Sequence, residues 1–233
     1  MMAQASSGNG DARQAKLLLV DDHPIVRQGL VALLQQEPDL AVCGEADDPD
    51  QGMTLIDKLK PDVVIADLSF GGLSGIEFIK DIRARWPRLP VLILSMHDEA
   101  HYADRALRAG AMGYIMKGAG GSRVIEAIRQ VLSGQIYLSP EVTTQLVKNA
   151  IEGPHEQAGS PIDQFSDREL EVFALIGQGL STRQIAKKLH LSTKTIDSHR
   201  SKIKSKLNLK NSTELVHHAI RWFSNADGSG NTV

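Results

Sequence analysis

The sequence predicts an α/β fold, a five-stranded parallel doubly wound sheet, followed by a small all-α domain. Three observations carry this. Five short apolar runs alternate with five stretches of helical periodicity between residues 16 and 133. Four runs close on polar residues: Leu17 to Val20 on Asp21 and Asp22, Val63 to Ala66 on Asp67, Val91 to Leu94 on Ser95, Tyr114 to Met116 on Lys117. Beyond a Gly- and Pro-rich stretch, every further segment reads as helix. Strand C-termini of an open parallel sheet share one edge, where ligands bind, so three carboxylates, a hydroxyl and an ammonium are predicted to converge on one pocket.

Residues 1–15 are small and polar and read as a disordered N-terminal tail. The first strand runs from Lys16 to Asp21. Pro24 suits the first turn of a helix whose stripe is Ile25, Val26, Leu30, Leu33 and Leu34. Strand two is Leu40 to Ala46, followed by a helix from Pro49 to Lys60 with Met53, Leu55, Ile56 and Leu59 inward. Strand three, residues 63–67, is a β-favouring run ending in Asp67. A glycine-rich turn from Phe70 to Gly75 leads to a helix ending near Trp86, on Ile76, Phe78, Ile79 and Ile82. Strand four is 91–95, helix four about 99–109, strand five 113–117 and helix five about 122–133, so residues 16–133 form the first domain. Right-handed crossovers with helices on both faces follow from five such units.

Residues 134–163 read as a linker with one short helix after Pro140. Residues 164–224 form the helical domain. Ser166 with Glu169 is a capping-box signature, Gly177 and Gly179 mark a turn, and Ser181 and Ser192 cap two further helices. The third helix runs from Thr193 to about Asn208. A fourth, Thr213 to Phe223, carries Leu215, Val216, Ala219, Ile220 and Phe223, which either pair with a second copy or pack on the Phe173 helix. Residues 225–233 read as a flexible tail.

Composition is ordinary, with 42% apolar and 23% charged residues among 233. No apolar run approaches the ~18 residues of a membrane span, and the N-terminus lacks the apolar centre of a signal peptide, so a cytoplasmic protein is expected. One cysteine, Cys43, leaves no disulfide. The net charge of −2 hides a split: residues 16–133 hold 13 Lys/Arg and 17 Asp/Glu, residues 166–223 hold 11 and 5. A compact positive segment fits nucleic acid, or only a solvated face.

Crowded carboxylates repel, so the pocket calls for a cation or a retained proton. Mg²⁺ prefers a few carboxylates, a carbonyl and waters, and accompanies phosphoryl groups. A carboxylate can itself accept a phosphoryl group. In that reading Asp67 attacks, Asp21 and Asp22 hold the metal, Lys117 pairs with phosphoryl oxygens and Ser95 donates a hydrogen bond. The plain alternative is that each is an ordinary strand-end residue.

VDDHPIVRQGL, DVVIADLSFGGLSG, LILSMH and AMGYIMKGA resemble the receiver domain of two-component response regulators, a flavodoxin-like fold, from Lys16 to about Ser133. The resemblance implies that Asp67 is the phosphoacceptor, Asp21 and Asp22 the acid pair, Ser95 the switch hydroxyl, Lys117 the pocket lysine and Tyr114 the aromatic that turns inward on activation. It also implies the backbone carbonyl of Ser69 as a Mg²⁺ ligand. Phe70-Gly71-Gly72 departs from the usual methionine-proline-glycine, which frees a φ angle and bears on the phosphoryl lifetime. His23 resembles the histidine of one subgroup and is kept behind the acids as a supporting residue.

On a helix, Ile196, Ile203 and Leu207 share one stripe, while Lys194, Ser198, Ser201 and Ser205 lie opposite, flanked by Asp197 and Lys202. Small and basic residues suit a groove-entering helix, and Thr182 to Leu189 would position it. The alternative is a solvated helix of an interaction bundle. The stretch from Phe165 to about Val216 resembles the LuxR-type helix-turn-helix domain, which with a receiver makes a NarL/FixJ-type regulator. That resemblance implies Lys194, Thr195, Ser198, Ser201 and Lys202 facing DNA, with Lys187, Arg200 and Lys206 near phosphates. Asp197 either accepts from a cytosine amine or pairs with Arg200 or Ser201.

The expectation is a phosphorylation-controlled, DNA-binding transcription regulator and not an enzyme, with Mg²⁺ as cofactor. Its partners are double-stranded DNA, a sensor histidine kinase, a second copy on phosphorylation, and RNA polymerase. A phosphohydrolase of the haloacid-dehalogenase type needs a second acid two positions past the nucleophile, where this chain has Ser69. A binding module that uses its receiver only to dimerise is disfavoured by the intact acids.

Overall fold

A computed structural model describes residues 13–70, 73–96, 99–152 and 161–227. In chain order the first half comprises β1 (Ala15–Val20), α1 (Pro24–Leu34), β2 (Leu40–Ala46), α2 (Pro49–Leu59), β3 (Val63–Ala66), β4 (Ser69–Phe70), β5 (Leu73–Ser74), α3 (Gly75–Arg85), β6 (Val91–Ser95), α4 (Glu99–Ala109), β7 (Gly113–Met116) and α5 (Gly121–Leu132). The main sheet is parallel with order β2-β1-β3-β6-β7. The chain turns back between β1 and β3, and the C-terminal ends of strands flanking such a switch point form a crevice.

Successive strand residues face opposite sides of a sheet, and here both sides are apolar. Leu18, Val20, Val64, Ala66 and Ile93 join the helices α2, α3 and α4 in one core, whereas Leu17, Leu19, Val63, Ile65, Leu92 and Leu94 join α1 and α5 in the other. The near-continuous apolar runs are thus strands covered twice.

β1 begins at Ala15, inside the stretch expected to be tail; residues 1–12 of that tail lie outside the described residues. The turn after Asp67 is not plain: Ser69 and Phe70 pair antiparallel with Ser74 and Leu73, while Gly71 and Gly72 lie outside the described residues. Gly75 is demanded by the fold, because a Cβ there would meet the Asp67 and Leu68 carbonyl oxygens at 2.6 and 2.5 Å. It lets α3 start directly under the acceptor's peptide.

The expected linker does not leave the first domain at once. Tyr137 bridges Gly113, and the Tyr114 N–H donates to the Tyr137 carbonyl at 3.0 Å, so the segment adds a rung to the sheet edge. α6 (Pro140–Glu152) then packs on α4 through Val142, with the Ser139 N–H held by Glu99 at 2.7 Å. Residues 153–160 of the linker lie outside the described residues.

After a 3-10 turn (Pro161–Gln164) come α7 (Asp167–Gly177), α8 (Thr182–Lys188), α9 (Thr193–Lys206) and α10 (Ser212–Asp227). Ser166 with Glu169 and Ser181 with Gln184 form reciprocal capping boxes, and Ser192 accepts from the Thr195 N–H. α10 extends to Asp227, so residues 225–227 of the expected C-terminal tail are helical, and residues 228–233 lie outside the described ones. Gly177 is not a turn residue. It ends α7 where α10 crosses, and a Cβ there would sit 2.6 Å from the Ala219 carbonyl. Leu215 and Ala219 are buried, and Trp222 lies tilted against Phe173 with ring centroids 5.4 Å apart, so this side of α10 packs on α7, whereas Ile220 of the same expected stripe stays exposed.

Candidate functional site

Asp21, Asp67, Ser95 and Lys117 meet at the C-terminal edge of the sheet because each ends or follows one of its parallel strands: β1, β3 and β6 in the middle, β7 at the side. Backbone bonds fix that edge: the Asp67 N–H donates to the Val20 carbonyl at 2.9 Å, and the Lys117 N–H to the Ser95 carbonyl at 2.8 Å. Asp21, Asp67 and Ser95 are buried. The Lys117 ammonium bridges Asp21 Oδ2 and Asp67 Oδ2, both at 2.7 Å, while Asp67 Oδ1 accepts the Leu68 N–H at 2.6 Å.

Burial pushes the Asp67 carboxyl above its ordinary value even with Lys117 in contact. Burial would lower Lys117, but Asp67 and Asp21 outweigh it and keep the ammonium charged. Among the described residues, Asp21 and Asp67 thus share the Lys117 ammonium with Asp22 close by, and a further cation would offset the remaining negative charge. Asp21, Asp22, His23 and Asp67 each offer a ligand atom within 4.8 Å of one another. That donor set fits a divalent ion.

Tyr114 is fully buried and shares a hydrogen bond with Ser95; burial raises its phenol well above the ordinary value. The aromatic that sequence reasoning expects to turn inward on activation is already inward here. Ser69, whose carbonyl is the remaining expected metal ligand, opens the β4–β5 hairpin two residues past Asp67. The structure also draws in His23, which the sequence reading keeps behind the acids. Its Nδ1 lies 2.7 Å from Asp22 Oδ1 and 3.1 Å from Asp21 Oδ1.

In the helical domain α9 buries Ile196 and Ile203 and leaves Lys194, Ser198, Ser201 and Lys202 exposed, with Lys187 exposed on α8. Thr195 and Arg200 are half-buried, and the Thr195 hydroxyl bonds Ser192 at 2.8 Å. Ser201 Oγ donates to the Asp197 backbone carbonyl at 2.9 Å, not to its carboxylate. Lys206 is exposed, and its ammonium binds Glu169 Oε2 at 2.6 Å and the Gln164 carbonyl at 2.8 Å, both within the domain.

Arg105 has no sequence signal. From α4 it donates to the carbonyls of Phe165 at 2.7 Å and Ile162 at 3.1 Å, and to Asp167 Oδ1 at 3.2 Å, joining the two domains. Lys80 lies 3.7 Å from Asp167, and His101 packs against Trp222 with ring centroids 4.7 Å apart and the rings tilted by 42°.

The receiver domain of response regulators matches residues 17–129, and the bacterial regulatory proteins of the luxR family match residues 163–219. The oxygen regulatory protein NreC of Staphylococcus carnosus is 38% identical over 210 residues, covering 88% of this chain and 97% of the relative. The response regulator GacA of Pseudomonas aeruginosa is 36% identical over 206 residues, covering 88% of this chain and 95% of the relative. RcsB of Salmonella typhimurium is similar in structure, with a TM-score of 0.66 at 27% identity over 92% of this chain and 98% of that one. RcsB bound to promoter rprA in the presence of phosphomimetic BeF3- gives a TM-score of 0.60 at 27% identity, over 89% and 98%. The chain therefore belongs to the response regulators that join a receiver domain to a LuxR-type DNA-binding domain, and is a phosphorylation-controlled transcription regulator.

Proposed function

We propose that Asp67 accepts a phosphoryl group from a sensor histidine kinase and that this controls DNA binding through α9. The supporting observation is the Lys117 bridge, which holds Asp21 and Asp67 at one edge with Ser95 buried beside them. In the transfer an Asp67 carboxylate oxygen forms the new O–P bond, the N–P bond of the phosphohistidine breaks, and its electron pair stays on the kinase imidazole. Lys117 then follows the charge from the carboxylate to the phosphoryl oxygens. Ser95 supplies a hydroxyl to one of those oxygens, exchanging its bond with Tyr114.

Asp21, Asp22 and Asp67, with the Ser69 carbonyl, would hold Mg²⁺. That ion, when bound, offsets the charge of the acids and of the incoming phosphoryl group.

Residues 16–133 are taken as the receiver and 164–224 as the reader, with 134–163 between them. Lys194, Thr195, Ser198, Ser201 and Lys202 are assigned to the DNA-facing side, and Lys187, Arg200 and Lys206 to phosphates, Lys206 being exposed while it pairs with Glu169. Dimerisation on phosphorylation, contact with RNA polymerase and a cytoplasmic location follow from the same reading, since the DNA lies there. A regulator is favoured over a phosphohydrolase by Ser69, which cannot replace the second acid.

Intact-mass measurement after incubation with acetyl phosphate and MgCl2 tests the assignment. One phosphoryl mass is expected on the wild type and none on Asp67→Asn; a full gain in the variant would overturn it.

A further inference from the structure

His23 is placed by its own backbone. It caps α1 from an extended conformation, φ −98° and ψ 103°, ahead of Pro24, and its N–H donates to Asp21 Oδ1 at 2.8 Å. That geometry folds the ring back over the acids. Nδ1 lies 2.7, 3.1 and 3.7 Å from single oxygens of Asp22, Asp21 and Asp67, while the side chain keeps 60% of its surface toward solvent. A small divalent ion with bonds of about 2.1 Å sets its adjacent ligand atoms about 3 Å apart and opposite ones about 4.2 Å apart. The nitrogen therefore sits within hydrogen-bond reach of Asp21 and Asp22, at distances that a shared ion would also set once the four donor atoms, now spread over 4.8 Å, draw in around it.

We propose that His23 is a metal ligand of this pocket and biases it toward a divalent ion that accepts a nitrogen ligand more readily, such as Mn²⁺, over Mg²⁺. This rests on Asp21, Asp22 and Asp67 being the metal site. Charge supports it: one ammonium and one divalent ion balance three carboxylates, which leaves room for a neutral donor but not for another charge. Ligand chemistry supplies the direction. Mg²⁺ keeps oxygen ligands and waters, whereas nitrogen ligands gain strength along the first-row series that Mn²⁺ opens. An imidazole added to three carboxylates strengthens Mn²⁺ binding and does little for Mg²⁺.

Calorimetric titration of the full chain with MnCl2 and with MgCl2 tests this in wild type, His23→Gln and Asp22→Asn. Loss of the ring should weaken Mn²⁺ by about tenfold or more and Mg²⁺ by less than about threefold. The electron spin-echo spectrum of bound Mn²⁺ should show a directly coupled imidazole nitrogen in the wild type and none in His23→Gln. An unchanged Mn²⁺-to-Mg²⁺ ratio without nitrogen coupling would overturn the proposal. So would tighter binding of both ions in His23→Gln, which would make the ring an occupant the ion displaces. If Asp22→Asn weakens both ions while His23→Gln alters neither, the acids are the metal site and only the role of His23 is wrong. If neither ion binds the wild type, the metal site itself is wrong and the proposal falls with it.

Discussion

Glu169 and Lys206 look from the sequence like a cap and a DNA-binding residue, yet they form one internal pair. Burial would raise the Glu169 carboxyl, but Lys206 and the Ser166 N–H and hydroxyl overcome it and hold it below the ordinary value. A depressed carboxyl contributes stability that is complete above the unfolded value, about 4.3, and is lost as pH falls through the lower folded value. Glu169→Gln keeps the capping box, as Gln184 does in α8, but loses the charge of the Lys206 pair, and should therefore destabilise the helical domain at pH 7 by about 1–3 kcal/mol, the range of a lost charge-assisted bond. Its deficit should shrink below about pH 4.3. Urea denaturation followed by tryptophan fluorescence reads both; a deficit independent of pH would mean that the loss does not come from the Glu169 charge.

Among the elements, α9 owes its orientation to two buried residues, Ile196 and Ile203, which turn a polar, small-residue face outward. If that face enters the major groove, Lys194→Ala and Lys202→Ala should weaken DNA binding and flatten its salt dependence by roughly one unit of slope for each phosphate no longer neutralised. Substituting Ser198 or Ser201 should instead change the preferred sequence. Selection of binding sites from a random library, beside titrations at several salt concentrations, separates the two. Identical site profiles for the serine variants would remove both residues from base readout.

Across the whole molecule, Arg105 connects the halves: three acceptors of the reader meet one half-buried guanidinium of α4, a helix that starts four residues after Ser95. A shift of Ser95 toward a phosphoryl group would be felt at this helix before any other part of the interface. Arg105→Ala should weaken the association of the domains by about 2–4 kcal/mol and give a larger radius of gyration in X-ray scattering. Beryllofluoride on the wild type should move scattering the same way and shift sedimentation velocity toward dimer, while Asp67→Asn and Ser95→Ala respond less. Identical profiles for all proteins, with and without the mimic, would mean that control does not pass through Arg105.

The order of residues alone dictates the alternating strands and helices, the edge where four polar endings meet, and the capped helices of the reader. These are legible because burial on both faces writes a continuous apolar run, and a cap writes a fixed pair of residues three apart. Asp21, Asp67, Ser95 and Lys117 are legible for a related reason, since a residue that ends a parallel strand has one edge to go to. Which partner a long or mobile side chain takes is settled only when the chain has folded. Lys206 pairs with Glu169, Arg105 crosses to carbonyls 57 and 60 residues away, and the His23 ring turns into the acids rather than away. Gly177 and Gly75 likewise read as turn glycines until the crossing helix or the acceptor's own carbonyl shows what each leaves room for. Local pattern fixes which face of an element is buried; the atoms that approach it from distant parts of the chain carry no trace in the neighbouring residues.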